Sequence, residues 1–377
     1  MSSPPAHPDP SDQHLCLDFR SDTRTRPDAA MRAAMAAAEV GDDAYGDDPT
    51  VRALEEEGAR LTGKQAALFL PSSTMANLVA VLAAAPAAPA APAASSERGA
   101  HTRLVTGEDT HIARFESAAM RRFGGVRLVG VAQHDDGSPE PVAFARALDD
   151  GRGQPLIVSL ENTCMLQTGN ALDASTTWSL ASLAREYGAH VHLDGARLAN
   201  AAVARQVPVR TLAAAADSVT FCLAKGLGAP VGSLLCGGAA FVDRSRELRL
   251  QLGGTMHQAG VAAAAALVAL RRLPRLADDH ALAAALAAGL ASVRGADVAV
   301  PPRRTNIVTV RLAGLDAAEL QRRLAARGVR VLPLDHGRVR FVVHREHVAA
   351  AVPDVVRALA GARAVSASVV QPASSSR

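Results

Sequence analysis

The sequence predicts an α/β protein: a large lobe on a mainly parallel, seven-stranded sheet with helices on both faces, followed by a smaller α+β lobe. Three observations carry this. Seven apolar runs, "AALFL", "RLVTG", "VRLVGV", "PLIVSLEN", "AHVHLDGA", "SVTFCLA" and "VGSLLCG", have the length and boundaries of buried strands. They alternate with amphipathic helical segments such as "TMANLVAVLAAA" and "WSLASLAREYG", the order that produces parallel strands joined by crossover helices. At 377 residues and 49% hydrophobic, the chain can bury one large core and a second, smaller one.

Taken in order, residues 1–14 are polar and Pro-rich, without the apolar run of a signal peptide, and are expected to form a disordered tail. The large lobe is expected over 15–262. It is interrupted at 85–99 by "APAAPAAPAASSERG", whose prolines recur every third residue and so make a flexible connector, not a helix. After "GTMHQAGVAAAAALVALRRL" the pattern changes to the helix "HALAAALAAGLASVRG", the strand "TNIVTVRL", the helix "DAAELQRRLAARG", the runs "VRVLPL" and "RVRFVVH", and a closing helix. That is the smaller lobe, 263–363, with a second disordered tail over 364–377.

The bulk numbers narrow the function. Forty basic residues against 37 acidic ones leave a formal charge of +3, too little for a nucleic-acid or membrane-surface footprint. No apolar stretch long enough to span a bilayer is free of Pro, Gly or charge. Cys16, Cys164, Cys222 and Cys236 form no CxxC pair and sit in apolar text, as reduced thiols of a cytoplasmic protein would.

Of the 40 Lys plus Arg residues only Lys64 and Lys225 are lysine. Where a positive charge suffices, this chain uses arginine. An amine is required only where the group must lose its proton and attack a carbonyl, so Lys225 in "SVTFCLAKGLGAPVGSLL" is a candidate imine former. Lys64, before a strand, is expected at the surface. "LDGAR" places Asp194 at the end of an apolar strand, 31 positions before Lys225. A lysine imine and an acid partner for a pyridine nitrogen are the two requirements of pyridoxal phosphate, and Asp194 with Lys225 fits them. The bland alternative for Asp194 is a helix cap.

"FLPSSTMANL" runs from a strand through Ser72, Ser73 and Thr74 into a helix, either an ordinary cap or a phosphate cradle at a positive helix end. "GEDTHIARFE" supplies His111, whose ring could stack on a bound pyridine and move a proton. "GLGAPVG" joins two strands and opens no helix, so it is not a dinucleotide fingerprint. The acidic run "GDDAYGDDPT" and the pair in "HREH" lack metal-ligand spacing and are expected as surface or capping residues; no metal site is expected.

With these residues in place, the chain resembles the low-specificity L-threonine aldolases, fold-type-I pyridoxal-phosphate enzymes. The likeness runs from about Leu17 to Arg357 and rests on "DFRSDTRTRP", "VGDDAYGDDPTVRALE", "PSSTMANL", "LENT", "HLDGARLANAAVA", "CLAKGLGAPVGSLL" and "QAGV". The resemblance implies that Lys225 carries the cofactor as an imine, that Asp194 pairs with the pyridine nitrogen and that His111 stacks on the ring. It implies Ser73 and Thr74 as phosphate ligands, with Arg197 also beside the cofactor, and Ser21, Arg197 and Arg340 as holders of a small amino-acid substrate's carboxylate. It implies cleavage of L-threonine or L-allo-threonine to glycine and an aldehyde, and a homotetramer built as a dimer of dimers.

The chain departs from the family pattern in several places. Cys164 follows "LENT" where a histidine is usual, Thr255 and His257 stand where Gly and Arg are common, Ala224 replaces a frequent Ser before the lysine, and Ser73 occupies a usual glycine position. The base for the β-hydroxyl is therefore His111, His257 or a bound water. β-Elimination or racemisation on the same Lys225 and Asp194, and a non-catalytic pyridoxal-phosphate binder, are the competing readings.

Overall fold

The computed structural model describes residues 17–86 and 102–364; the two expected tails and nearly all of the Ala/Pro connector lie outside the described residues. Thirteen strands occur among the described residues: β1 (Leu17–Asp18), β2 (Ala66–Leu70), β3 (Thr102–Gly107), β4 (Val126–Val131), β5 (Leu156–Glu161), β6 (His190–Gly195), β7 (Ser218–Cys222), β8 (Ser233–Gly237), β9 (Ala296–Val298), β10 (Ile307–Leu312), β11 (Val329–Arg330), β12 (Leu332–Pro333) and β13 (Val339–Val342). Every one of the seven apolar runs is a strand of one sheet, ordered β2-β8-β7-β6-β5-β3-β4. Its β3–β4, β3–β5, β5–β6 and β6–β7 pairings are parallel, and β8 alone runs against its neighbours β2 and β7. The interior strands β3, β5, β7 and β8 are buried along their whole length and β6 along all but its first residue, as near-continuous apolar runs under two helical layers must be.

Local chemistry starts and stops the helices. Asp48 caps the helix Pro49–Thr62, accepting from the backbone N–H of Thr50 and Val51, with Pro49 at the first helical position and Gly63 closing it at φ 68, a left-handed conformation that glycine takes without strain. Ser72 caps Ser73–Ala84, and Asp173 caps Ala174–Glu186. The chain steps outward from β3 to β4, then returns to β5 on the other side of β3, so the strand order reverses between β3 and β5. At such a reversal the loops at the strands' carboxyl ends part, leaving a crevice that ligands use.

The smaller lobe is an antiparallel sheet, β12-β13-β10-β9, covered by the helices Leu276–Ala291, Ala317–Ala325 and Val352–Ala364. The helix Gly260–Arg271, which spans the boundary expected at 262, packs its Ala263, Ala266 and Leu270 into the core of the seven-stranded sheet. The second core takes over from Ala283. We place the division between the lobes near Leu276 for that reason. The first described residues belong to the small lobe: β1 pairs in parallel with β11, and Phe19 packs into the second core. The segment that follows, Ser21 to Thr25, crosses from one lobe to the other.

Candidate active site

Strands β2, β3, β5, β6 and β7 all point the same way, and each delivers a polar residue at or just past its carboxyl end. After β2, Ser72 Oγ accepts from the Met75 N–H at 3.1 Å, which fixes the start of the helix; Ser73 Oγ donates to Ser233 Oγ on β8 at 3.3 Å, and Thr74 is exposed. Ser73 and Thr74 lie in the helix's first turn, where N–H groups lack intrahelical acceptors. The cap is therefore Ser72, leaving the next two hydroxyls for another task. After β7, Lys225 sits three residues past the strand in the turn toward β8, half-buried, its backbone carbonyl accepting from Thr25 Oγ1 at 2.8 Å.

Asp194 is buried at the end of β6 and does not cap the helix Leu198–Arg205. Its Oδ1 accepts from the Ala196 N–H at 3.0 Å and its Oδ2 from Asn77 Nδ2, on the helix Ser73–Ala84, at 2.9 Å. One helix thus presents hydroxyls at its start and an amide to Asp194 one turn later.

His111, after β3, opens a single π-helical turn, Ile112–Glu116. Residues five apart diverge on an α-helix, but the wider turn brings His111 Nδ1 to 2.8 Å from Glu116 Oε1. Burial alone would lower the imidazole's pKa, yet the hydrogen bond and charge of Glu116, with Asp194 and Glu161 behind it, raise it. Glu116 is buried and pushed up from the usual carboxyl range by that burial, and its Oε2 has no hydrogen-bond partner. Glu161, at the end of β5, accepts from the His111 N–H at 2.6 Å and from the Met165 N–H at 2.9 Å; burial and the Asp194 charge push its carboxyl up to about 7.

The crossing segment closes the other side. Ser21 Oγ accepts from Thr23 N–H at 3.2 Å and Thr23 Oγ1 at 3.0 Å, capping a short turn that aims Asp22 inward. Asp22 is fully buried and receives Arg197 through Nε at 2.9 Å and Nη2 at 2.6 Å, with Asn306 Nδ2 of the small lobe at 3.2 Å. Burial opposes its charge, but Arg197 and Lys225 overcome it and hold its pKa at about 2. Arg197 thus presents its Nε–Nη2 edge to Asp22.

Arg340, on β13, differs. It is 2% exposed, Nη1 donates to the Met165 carbonyl at 3.0 Å, Nη2 to the Arg20 carbonyl at 3.1 Å, and Nε has no partner. Among the described residues no carboxylate lies within ion-pair distance of it. Burial and the neighbouring Arg197 charge push its pKa down to about 10. A buried cation is normally paired, and Arg340 has two backbone carbonyls in place of a carboxylate.

The remaining sequence candidates lie elsewhere. His257 is on the surface, its side chain 80% exposed and Nδ1 at 3.1 Å from Asp42. Cys164 is buried with Sγ near the carbonyls of Gly137 and Glu161, and burial pushes its thiol well up, so it is no base. The acidic run is structural: Asp43 pairs with the buried Arg249 at 2.7 Å and Asp48 caps a helix. His347 stacks on Phe19. Lys64 is not at the surface as expected but half-buried, its ammonium on the Ala216 carbonyl. Among the described residues no group of His, Cys, Asp and Glu could hold a metal ion, and no helix is long and apolar enough to cross a membrane.

Asp22, Asn77, Glu116 and Glu161 escaped the sequence reading. Asp22 and Glu161 stand inside the quoted motifs "RSDT" and "LENT", where their acids were available as signals; Glu116 needs the π-turn and Asn77 reads as one more interior helix position.

The donor set fits pyridoxal phosphate: an amine at Lys225, a buried carboxylate at Asp194, and hydroxyls with a helix start at Ser73 and Thr74, beside an anion-seeking arginine. Comparison with known proteins agrees. The beta-eliminating lyase family matches residues 18–313. Low-specificity L-threonine aldolase 1 of Arabidopsis thaliana is 40% identical over 339 residues, 88% of this chain and 91% of that one. The low specificity L-threonine aldolase of Escherichia coli K12 is 38% identical over 342 residues, 87% and 93% of the two chains. The solved structure of Leishmania major threonine aldolase, at 20% identity, shares the fold with a TM-score of 0.75 over 91% of this chain and 98% of that one. By family match and sequence identity together, the chain belongs to the beta-eliminating lyases, among the low-specificity L-threonine aldolases.

Proposed function

We propose that this chain is a pyridoxal-phosphate-dependent aldehyde-lyase that splits L-threonine or L-allo-threonine into glycine and acetaldehyde. The observation that carries the reading is the buried, carboxylate-free Arg340 beside the Asp22–Arg197 pair and Lys225. An α-amino acid brings the carboxylate that Arg340 lacks and the amine that exchanges with Lys225.

When bound, the cofactor supplies an electron sink for the bond that breaks at the amino acid's α-carbon. Lys225 would hold it, Asp194 would keep its ring nitrogen protonated, and Ser73 and Thr74 would receive its phosphate at the helix start. Arg197, fixed on Asp22, would border the cofactor and orient the substrate from one side. Arg340 and Ser21 would fix the α-carboxylate from the other side, and that clamp decides which bond stands perpendicular to the ring.

His111 would stack on the ring and accept the β-hydroxyl proton at Nε2, since Nδ1 is held by Glu116. With His257 on the surface and Cys164 neutral and buried, His111 is the base the geometry favours. The substrate is then a small β-hydroxy amino acid, and the family resemblance supports a cytoplasmic homotetramer.

Product analysis on L-threonine tests the reading. Glycine and acetaldehyde in equal amounts are expected; 2-oxobutanoate would mean β-elimination, and a cofactor band without either product would mean binding without turnover.

A further inference from the structure

Strand β6 reads His190-Val-His192-Leu-Asp194, so two histidines and the carboxylate share one face of the sheet at alternate positions. Ser218, in register with His192 on β7, and Asn77, from the helix packed over β6 and β7, complete an unbroken line of polar groups. His190 Nε2 is 2.8 Å from Ser218 Oγ, Ser218 Oγ is 2.9 Å from His192 Nδ1, His192 Nε2 is 3.2 Å from Asn77 Oδ1, and Asn77 Nδ2 is 2.9 Å from Asp194 Oδ2. Asn77, His192 and Ser218 have no exposed surface, whereas His190, stacked on Phe241, is half-buried. A continuous polar line through a core is costly unless every member is satisfied.

Its direction follows from donor chemistry. A carboxylate accepts, so the Asn77 amide donates to Asp194 and turns its carbonyl oxygen to His192. His192 must then carry its proton on Nε2. Burial pushes this imidazole down to about 4, so the ring is neutral and Nδ1 is a lone pair, which takes the Ser218 hydroxyl proton. The serine oxygen in turn accepts from His190 Nε2–H. Every proton points toward Asp194.

We propose that His190, Ser218, His192 and Asn77 are a one-way hydrogen-bond relay that positions the Asp194 carboxylate and fixes its basicity toward the cofactor's ring nitrogen. The four are positioning residues, and the inference rests on the reading of Asp194 given above. Its mechanism is tautomer control. If Ser218 is lost, no donor holds the lone pair on Nδ1, and His192 can carry its proton there while Thr220 Oγ1, 3.5 Å from Nε2, donates to the vacated nitrogen; Asn77 Oδ1 then has no donor and the amide is drawn away from Asp194. Asp194 loses a charge-assisted donor without any change in a residue that touches it.

The test is Ser218→Ala, three hydrogen bonds away from the carboxylate, with Ser218→Thr as the conservative rescue. Imidazole 15N shifts of the cofactor-free protein should show His192 as the Nε2–H tautomer in wild type and Ser218→Thr, and a mixture or the Nδ1–H form in Ser218→Ala. Pyridoxal-phosphate affinity should fall about tenfold or more in Ser218→Ala and return in Ser218→Thr, the size expected for one hydrogen bond to a charged group. A wild-type His192 that is cationic or Nδ1–H, or wild-type affinity in Ser218→Ala, overturns the relay. Asp194→Asn separates the two layers: undiminished affinity there removes the assigned role of Asp194, whatever tautomer His192 shows.

Discussion

Two buried arginines stand side by side in the site, and replacing each by methionine should give unequal stability losses. Arg197 is answered by Asp22 within the protein. Removing it strands a fully buried carboxylate with only Asn306 and the charge of Lys225 for support, which costs about 3–5 kcal/mol. Arg340 has no such partner. Burial and Arg197 push it from 12.5 down to about 10, and since the guanidinium stays protonated at neutral pH, this amounts to a penalty of roughly 3 kcal/mol carried by the folded protein. Arg340→Met removes that penalty and also two hydrogen bonds to carbonyls, worth about 1.5–3 kcal/mol each as charged donors. The two bonds together lose about 3–6 kcal/mol against the roughly 3 kcal/mol relieved, so its stability should fall by about 0–3 kcal/mol, less than that of Arg197→Met. Denaturant unfolding of the cofactor-free proteins measures this. The same Arg340→Met should lower kcat/KM for threonine by about 3 kcal/mol, roughly 150-fold, because the substrate carboxylate loses its buried partner. Equal destabilisation by the two variants, or an Arg340→Met enzyme with unchanged KM and kcat, would refute the view that Arg340 is held ready for an anion from outside.

Other outcomes follow from the same geometry. Asp22 is depressed from 3.8 to about 2, so its pairing contributes stability that is complete above about pH 4 and is lost as pH falls toward 2, about 2 kcal/mol in all; Asp22→Asn should flatten that part of an acid-unfolding profile. Glu116→Gln removes the charge that raises His111, so the acid limb of kcat/KM should move to lower pH while the maximal rate drops; an unmoved limb would exclude the dyad. His257→Asn should leave threonine cleavage unchanged in a steady-state assay, since its ring lies at the surface on Asp42.

How much of this was legible beforehand depended on whether the signal was local. The strands were readable because all but the edge strand β4 are buried along nearly their whole length, and a run such as "PLIVSLEN" has no other stable place in an α/β chain. The placement of Lys225 and Asp194 at strand ends was readable because each closes an apolar run. The boundary expected at 262 falls inside the helix Gly260–Arg271 because "AGVAAAAALVALRR" is equally apolar against either core; its packing on the large sheet is a tertiary fact. Nothing in "LDGARLAN" announces that Asp22, 175 positions earlier, will take the Nε–Nη2 edge of Arg197. Glu116 was invisible for a geometric reason, since only a π-turn lets a residue five positions on meet His111. The "HVHLD" alternation was present in the text, but its meaning needed Ser218 and Asn77 from two other elements.

The central claim is that one amine, Lys225, organises the site, and a chain with only two lysines makes this directly testable. The protein is loaded with pyridoxal phosphate, reduced with borohydride to fix the cofactor to the amine that carries it, digested and mapped by mass spectrometry. The label is expected on Lys225 alone, with none on Lys64. Label on Lys64, or none on Lys225 in protein that cleaves threonine, would contradict it.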